Sequence, residues 1–220
     1  MSILVINDLH LGDGSKADDF GKNDQKMINW IEEINPNRII LNGDIEDLWQ
    51  FKRKRIRKAH KLLLDYFKHK KATRIIGNHD YKILGKNSIS IKTKNGKLIF
   101  ITHGHQADKR MDNAFVRGFV WFLGIVERLP FMGNIDNPDM WGKKKSSADK
   151  KTEAYAMSIL ANGKYHIVIC GHTHKLTELL GDQGYVIEGY LNGGTCQHER
   201  REGILIDEEN GTAKVISKSI

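Results

Sequence analysis

Cysteine is scarce: only Cys170 and Cys196 occur in 220 residues. Two cysteines cannot build the multi-bridge framework of a small secreted domain, so a reduced, cytoplasmic setting is expected. Long apolar runs are missing too. No stretch reaches the roughly 18–20 residues of a membrane span. The opening "MSILVINDLH" has no basic leader before a long apolar core, so it does not read as a signal peptide. Internal repeats and low-complexity linkers are also lacking. What is present, 40% hydrophobic and 28% charged residues, suits one globular domain over 1–220.

The net charge of +8 is concentrated in one place. Residues 52–71, "KRKRIRKAHKLLLDYFKHKK", hold ten Lys/Arg and one Asp, and without them 25 basic face 26 acidic residues. Such a stripe attracts anions: nucleic acid, anionic lipid headgroups or a phosphorylated substrate. As a helix it would turn Ile56, Leu63 and Phe67 to the core, leaving Arg53 and Arg55 as candidate substrate contacts.

Periodicity places short buried strands at 2–7, 38–42 and 73–76, with helices over 24–34 and roughly 51–70. In the first helix Ile28, Ile31 and Ile34 share one side. "SISIK" and "KLIFITH" flank "TKNG", whose Asn-Gly signals a hairpin. Strands return at 165–170, 176–180, 185–191 and 203–207, with "GDQG" and "EENG" as turns. Between them, about 106–162 reads as a helical insertion interrupted by a loop. Strand–helix units followed by hairpins predict an α/β (α+β mixed) fold of two packed sheets with helices outside.

Five places set His, Asp or Asn at the end of a predicted strand: "INDLHL" (Asp8, His10), "LNGDIEDLW" (Asp44, Asp47), "IGNHDY" (Asn78, His79, Asp80), "ITHGHQ" (His103, His105) and "IVICGHTHKL" (His172, His174). They account for six of the ten histidines. Any one has an ordinary explanation, since Asp and Asn cap helices and Gly-Asn and Gly-Asp make turns. Five in order, all at strand ends, do not, and the carboxyl edge of a sheet is where open α/β architectures place their sites. On an extended chain His172 and His174 would lie roughly 6.5–7 Å apart, a spacing better suited to flanking two ions than to sharing one.

The order D-x-H, G-D-x-x-D, G-N-H-D, H-G-H, G-H-x-H resembles the calcineurin-like metallophosphoesterase superfamily and runs from Asp8 to His174. The resemblance implies a four-layer αββα sandwich and a two-metal centre. Asp8, His10 and His174 would hold one ion, Asn78, His103 and His172 the other, and Asp44 would bridge them. Carboxylate, imidazole and amide donors without thiolate suit Mn²⁺ first, with Fe²⁺ or Zn²⁺ as alternatives. Two ions about 3.5–4 Å apart can clamp a phosphoryl group and deprotonate a shared water, whose hydroxide would attack phosphorus in line with the leaving oxygen. His79 would face the leaving group as general acid or positive charge, oriented by Asp47. His105 would contact substrate or support the ligands, and Asp80 would hold its loop.

The segment 114–132, "AFVRGFVWFLGIVERLPFM", carries four of the eight Phe and one of the four Trp. It is expected to pack as a helix pair on the domain or a dimer partner, or to form an apolar lid. Through 111–132 such a lid would meet acyl chains or a membrane periphery. With the basic helix, this layout is similar to UDP-2,3-diacylglucosamine pyrophosphohydrolase-like members, which commonly carry Arg where this chain has His79. The expected reaction is therefore hydrolysis of a phosphodiester or pyrophosphate bond in an anionic substrate such as a nucleotide-sugar lipid. The alternatives are a metal-dependent nuclease, disfavoured by few aromatics in the basic stripe for base stacking, and a non-catalytic scaffold, disfavoured because every motif position is intact.

Overall fold

The structure is a computed structural model in which residues 1–107, 146–179 and 185–218 are described. Period-two alternation decides the layering. In β1 (Ser2–Ile6), Leu4 and Ile6 face one side while Ile3 and Val5 face the other, and all four are buried. A strand buried on both faces must lie between two layers. β1 pairs in parallel with β2 (Arg38–Asn42), and β2 with β3 (Thr73–Ile75). β9 (Arg201–Asp207) and β10 (Thr212–Lys218) complete the sheet on the other side of β1, antiparallel. The second sheet runs β4 (Ser88–Lys92), β5 (Leu98–Thr102), β6 (Ile167–Cys170), β8 (Gly189–Gly193) and β7 (Leu176–Leu179). Its middle three strands are parallel, and β4 and β7 are antiparallel edges.

Between the sheets, Ile3, Val5, Ile40 and Ile75 meet Ile99, Ile101, Ile167 and Ile169. Outside the first sheet lie α1 (Asp24–Ile34), α2 (Arg53–Ala59) and α3 (Lys61–His69), seated through Met27, Trp30, Ile56, Leu63 and Phe67. Outside the second lies α4 (Ser147–Ala161), whose Ala156 packs on Val168, Cys170 and Tyr190. The result is the expected four-layer αββα sandwich of two mixed sheets, with four α-helices among the described residues. None of them is long and apolar enough to cross a membrane.

Several sequence expectations shift. The buried stripe of α1 is Met27, Trp30 and Ile31, with Ile28 and Ile34 only partly buried, because the i, i+3, i+4 set aimed at the sheet includes the larger Trp. The single helix expected over 51–70 is two, broken at His60, whose buried ring is held by two carboxylates from elsewhere. Ile56, Leu63 and Phe67 do face the core. The "TKNG" hairpin forms, with Gly96 at φ 86°. β8 starts four residues later than the expected 185, and β10 had no expectation at all. α4 starts on a capping box: Asp149 N–H donates to Ser146 Oγ at 3.1 Å, and Ser146 N–H to Asp149 Oδ2 at 2.6 Å. It falls within the expected insertion 106–162 yet forms the outer layer. The first two residues of that insertion belong to a short 3-10 turn, His105–Ala107, and 108–145, with the aromatic segment 111–132, lie outside the described residues.

Candidate metal centre

The parallel strands end on one edge, and the chain leaves them through strained turns. Asp8, His10, Asp44, His172 and His174 all have positive φ, from 49° to 72°. Residues with a Cβ rarely adopt that region, and such outliers concentrate at functional sites. His172 and His174 therefore do not continue β6, and the extended-chain spacing does not apply to them. The motif glycines answer to close approach. A Cβ on Gly171 would lie 2.6 Å from Asp8 Oδ2, one on Gly77 would collide with Asp44, and one on Gly43 with the His103 ring. Backbone bonds tie the turns together: Asp8 N–H to Gly43 O at 3.1 Å, His10 N–H to Asp44 O at 3.0 Å, and Gly171 N–H to His103 O at 2.9 Å.

Two donor clusters result. Asp8, His10 and His174 place one potential ligand atom each within 4.8 Å of one another, and so do Asp44, His103 and His172. Asp8 Oδ1 lies 3.9 Å from His103 Nε2, which joins the clusters. Asp8 is pinned by its other oxygen, which accepts from Asn7 Nδ2 at 2.8 Å and His172 N–H at 2.9 Å. Asp44 Oδ1 accepts the His79 N–H at 2.7 Å, and Oδ2 sits 3.0 Å from His103 Nε2 without hydrogen-bond geometry. His103 Nδ1 lies 2.8 Å from the Asn42 carbonyl, which can only accept. Nδ1 thus donates its proton to that carbonyl, which turns Nε2 toward the two carboxylates. Asp8 Oδ1, Asn78 Oδ1, His103 Nε2 and His172 Nε2 are all buried without a hydrogen bond. Three of these atoms, Asp8 Oδ1, His103 Nε2 and His172 Nε2, belong to the joined clusters, and orphaned oxygen and nitrogen donors of this kind fit divalent cations.

The electrostatics agree. Burial pushes the carboxyl of Asp8 upward, but His103 and the hydrogen bonds of His10 and His174 outweigh it and hold Asp8 ionised. Asp44 behaves alike, held well below the usual carboxylate range against its burial by His103 and His79. Burial lowers His103, yet Asp44 and Asp8 draw it up to about 10, while burial and the His103 charge push His172 down to about 3. A field that draws a proton onto a buried imidazole draws a metal cation equally well.

His79 stands beside the first cluster. Its Nδ1 meets Asp47 Oδ1 at 2.9 Å, and its ring stacks on Trp49 with centroids 4.0 Å apart and 17° between planes. It meets His10 edge-on at 4.5 Å. His10, Asp47 and His79 also bring ligand-type atoms within 4.8 Å. Trp49 Nε1 donates to Asn78 O at 2.7 Å, clamping the two loops. The His105 ring is 5.5 Å from His103. Arg53 and Arg55 lie in the first turn of α2, with Arg53 Nε 3.5 Å from Glu46 Oε2 and Arg55 Nη1 3.6 Å from Asp13 Oδ2. Asp80 does hold its loop, accepting from Gly77 N–H at 2.7 Å, Ile45 N–H at 3.0 Å and Arg74 Nη2 at 2.9 Å. Asn7, Trp49 and Arg74 escaped sequence reasoning. Asn7 and Trp49 adjoin motif residues, but nothing local marks Arg74.

A family model described as calcineurin-like phosphoesterase matches residues 1–176. Among solved structures, the chain is similar to a double mutant of Vps29 from Entamoeba histolytica, at 17% identity, with 99% of this chain and 98% of that chain covered and a TM-score of 0.50. It is similar to a metallophosphoesterase from Sphaerobacter thermophilus at 12% identity, covering 100% and 89%, with a TM-score of 0.50. The phosphoesterase YfcE from E. coli follows at 14% identity, 94% and 88% coverage and a TM-score of 0.46. No curated protein matches the chain significantly. At such identities the structural likeness bears on the fold alone, but the family model spans every motif from Asp8 to His174. The chain belongs to the calcineurin-like phosphoesterase family.

Proposed function

We propose that this protein is a two-metal phosphoesterase that hydrolyses a phosphodiester or pyrophosphate bond. The observation that carries the reading is the set of three orphaned buried donors, Asp8 Oδ1, His103 Nε2 and His172 Nε2, on two adjoining clusters. Asp8, His10 and His174 would hold one ion and Asn78, His103 and His172 the second, with Asp44 shared. Mn²⁺ suits these donors first, Fe²⁺ and Zn²⁺ next. Bound ions of this kind polarise a phosphoryl group and lower the pKa of water.

The protein's own groups do the rest. The Asn42 carbonyl and the pinned oxygen of Asp8 orient ligands before any ion arrives. His79, with Nδ1 engaged by Asp47 and its face on Trp49, keeps Nε2 to give a proton to the leaving oxygen. Asp47 is the positioning carboxylate and supports the cationic ring. His105, Arg53 and Arg55 are the proposed contacts to the anionic substrate. A nucleotide-sugar lipid is the finer reading. It rests on the basic helix and on residues 111–132, which would supply the apolar or membrane-peripheral contact. A nucleic-acid backbone is the second reading, favoured by the same basic run.

Asp44→Asn and His172→Ala are each expected to cut Mn²⁺-dependent hydrolysis of bis(p-nitrophenyl) phosphate. The loss should exceed the roughly 10–100-fold cost of an outer-shell partner. Wild-type rates in both variants would sink the two-metal reading.

A further inference from the structure

The basic run also frames a cavity of about 480 Å³ bounded by α2, α3 and the β2–β3 side of the first sheet. Leu41, Leu64 and Phe67 form its apolar wall. Its charged lining is Arg57, Lys61, Lys68 and Arg74 against Glu46 and Asp65. Both carboxylates are engaged: Glu46 accepts from Arg74 Nη1 at 2.9 Å, and Asp65 pairs with Lys61. Arg57 and Lys68 form no ion pair among the described residues, and Arg74 Nε is buried without a hydrogen bond. Lys61 is answered by Asp65, and Arg74 by Glu46 and Asp80, which leaves Arg57 and Lys68 as two unpaired cations; these suit a dianion, and the apolar wall suits a ring or chain attached to it. The volume lies within the roughly 300–1,000 Å³ of small-molecule pockets.

We propose that this cavity is a second, regulatory ligand site, separate from the metal centre, for a phosphate monoester bearing an aromatic or acyl body. Arg74 is the connection. Its Nη2 donates to Asp80 Oδ2, and Asp80 in turn holds Gly77 N–H and Ile45 N–H. Those amides flank Asn78 and Asp44, so a phosphate drawing on Arg74 bears on both loops of the centre. A monoester is also the product class of diester or pyrophosphate hydrolysis. That regulatory consequence rests on the proposed function, whereas binding does not.

The test is calorimetric titration of the full chain in EDTA with 1-naphthyl phosphate. Wild type should bind one equivalent, and Arg57→Glu combined with Lys68→Glu should weaken binding at least tenfold. Inorganic phosphate should bind at least tenfold more weakly than the naphthyl ester. No binding by wild type, an unchanged double variant, or equal affinity for inorganic phosphate would each overturn the site. With Mn²⁺ restored, the non-hydrolysable naphthylmethylphosphonate should change the bis(p-nitrophenyl) phosphate rate in wild type and not in the double variant. An equal response in both overturns the regulatory role. A wild type that binds but never hydrolyses rejects the phosphoesterase reading and leaves the ligand site standing.

Discussion

His79 is a residue whose free ring nitrogens the geometry narrows to one. One ring nitrogen is committed to Asp47 at 2.9 Å and the ring face to Trp49, so only Nε2 is left for chemistry. If it protonates the leaving oxygen, its value depends on how poor that leaving group is. His79→Gln is expected to lower kcat by about 10²–10⁴-fold for an alkyl leaving group, and far less for p-nitrophenolate, which departs without help. Equal losses on both substrates, measured side by side, would remove the general-acid role. Asp8 shows a second residue-scale lesson. Its motif position is plain in the sequence, but which oxygen is pinned and which is orphaned depends on Asn7 and the His172 amide, 164 residues away.

At the scale of elements, the break between α2 and α3 carries the clearest energetic statement. His60 sits there, 1% exposed, with Nε2 2.8 Å from Asp18 and Nδ1 2.7 Å from Asp24. Asp18 also gathers the amides of Gly12, Gly14, Phe20 and Gly21, so this clamp holds the loop that follows Asp8 and His10. Burial lowers His60, but the two carboxylates raise it to about 9. Raised in the folded state, it contributes stability fully present below about pH 6.5 and lost as pH climbs through about 9. The contribution is on the order of 3 kcal/mol. Urea midpoints between pH 6.5 and 9.5 should fall in wild type and fall markedly less in His60→Gln, and parallel slopes would refute the clamp. The motif turns make a further prediction. Gly77→Ala drives a methyl group into Asp44, so Mn²⁺ affinity by calorimetry should drop at least about tenfold while far-UV circular dichroism is preserved. Unaltered affinity would mean that the turn yields without moving the carboxylate.

For the whole molecule, metal binding should be visible as stability. Ions that bind the folded chain alone add about 2.7 kcal/mol at a hundredfold excess over Kd. A domain of this size gains roughly 2–4 °C per kcal/mol. Mn²⁺ is therefore expected to raise Tm by several degrees over an EDTA baseline, and Asp44→Asn to abolish the rise. A Tm indifferent to Mn²⁺ in wild type would count against a two-ion centre joining both sheets.

The layered fold was legible because β1, β2 and β6 are apolar on both faces, and the motifs because each stands just past a strand expected from the sequence. β10 was not, since its alternation mixes Thr, Lys and Ser with only one fully buried residue, Ala213. Nor was the divided basic helix, because the groups that break it, Asp18 and Asp24, lie far away in the chain. By itself the sequence determined the order of donors, their strand-end positions and the glycines beside them, since those are properties of neighbouring residues. The resemblance implied that Asp8 goes with His10 and His174, and Asp44 with His103 and His172, but only the tertiary structure decided which oxygen of each carboxylate is pinned and which faces the imidazoles. The same holds for Arg74, which links a basic cavity to the loop of Asp80. Such pairings depend on how two sheets stack and where positive-φ turns aim each side chain, and no local pattern encodes either.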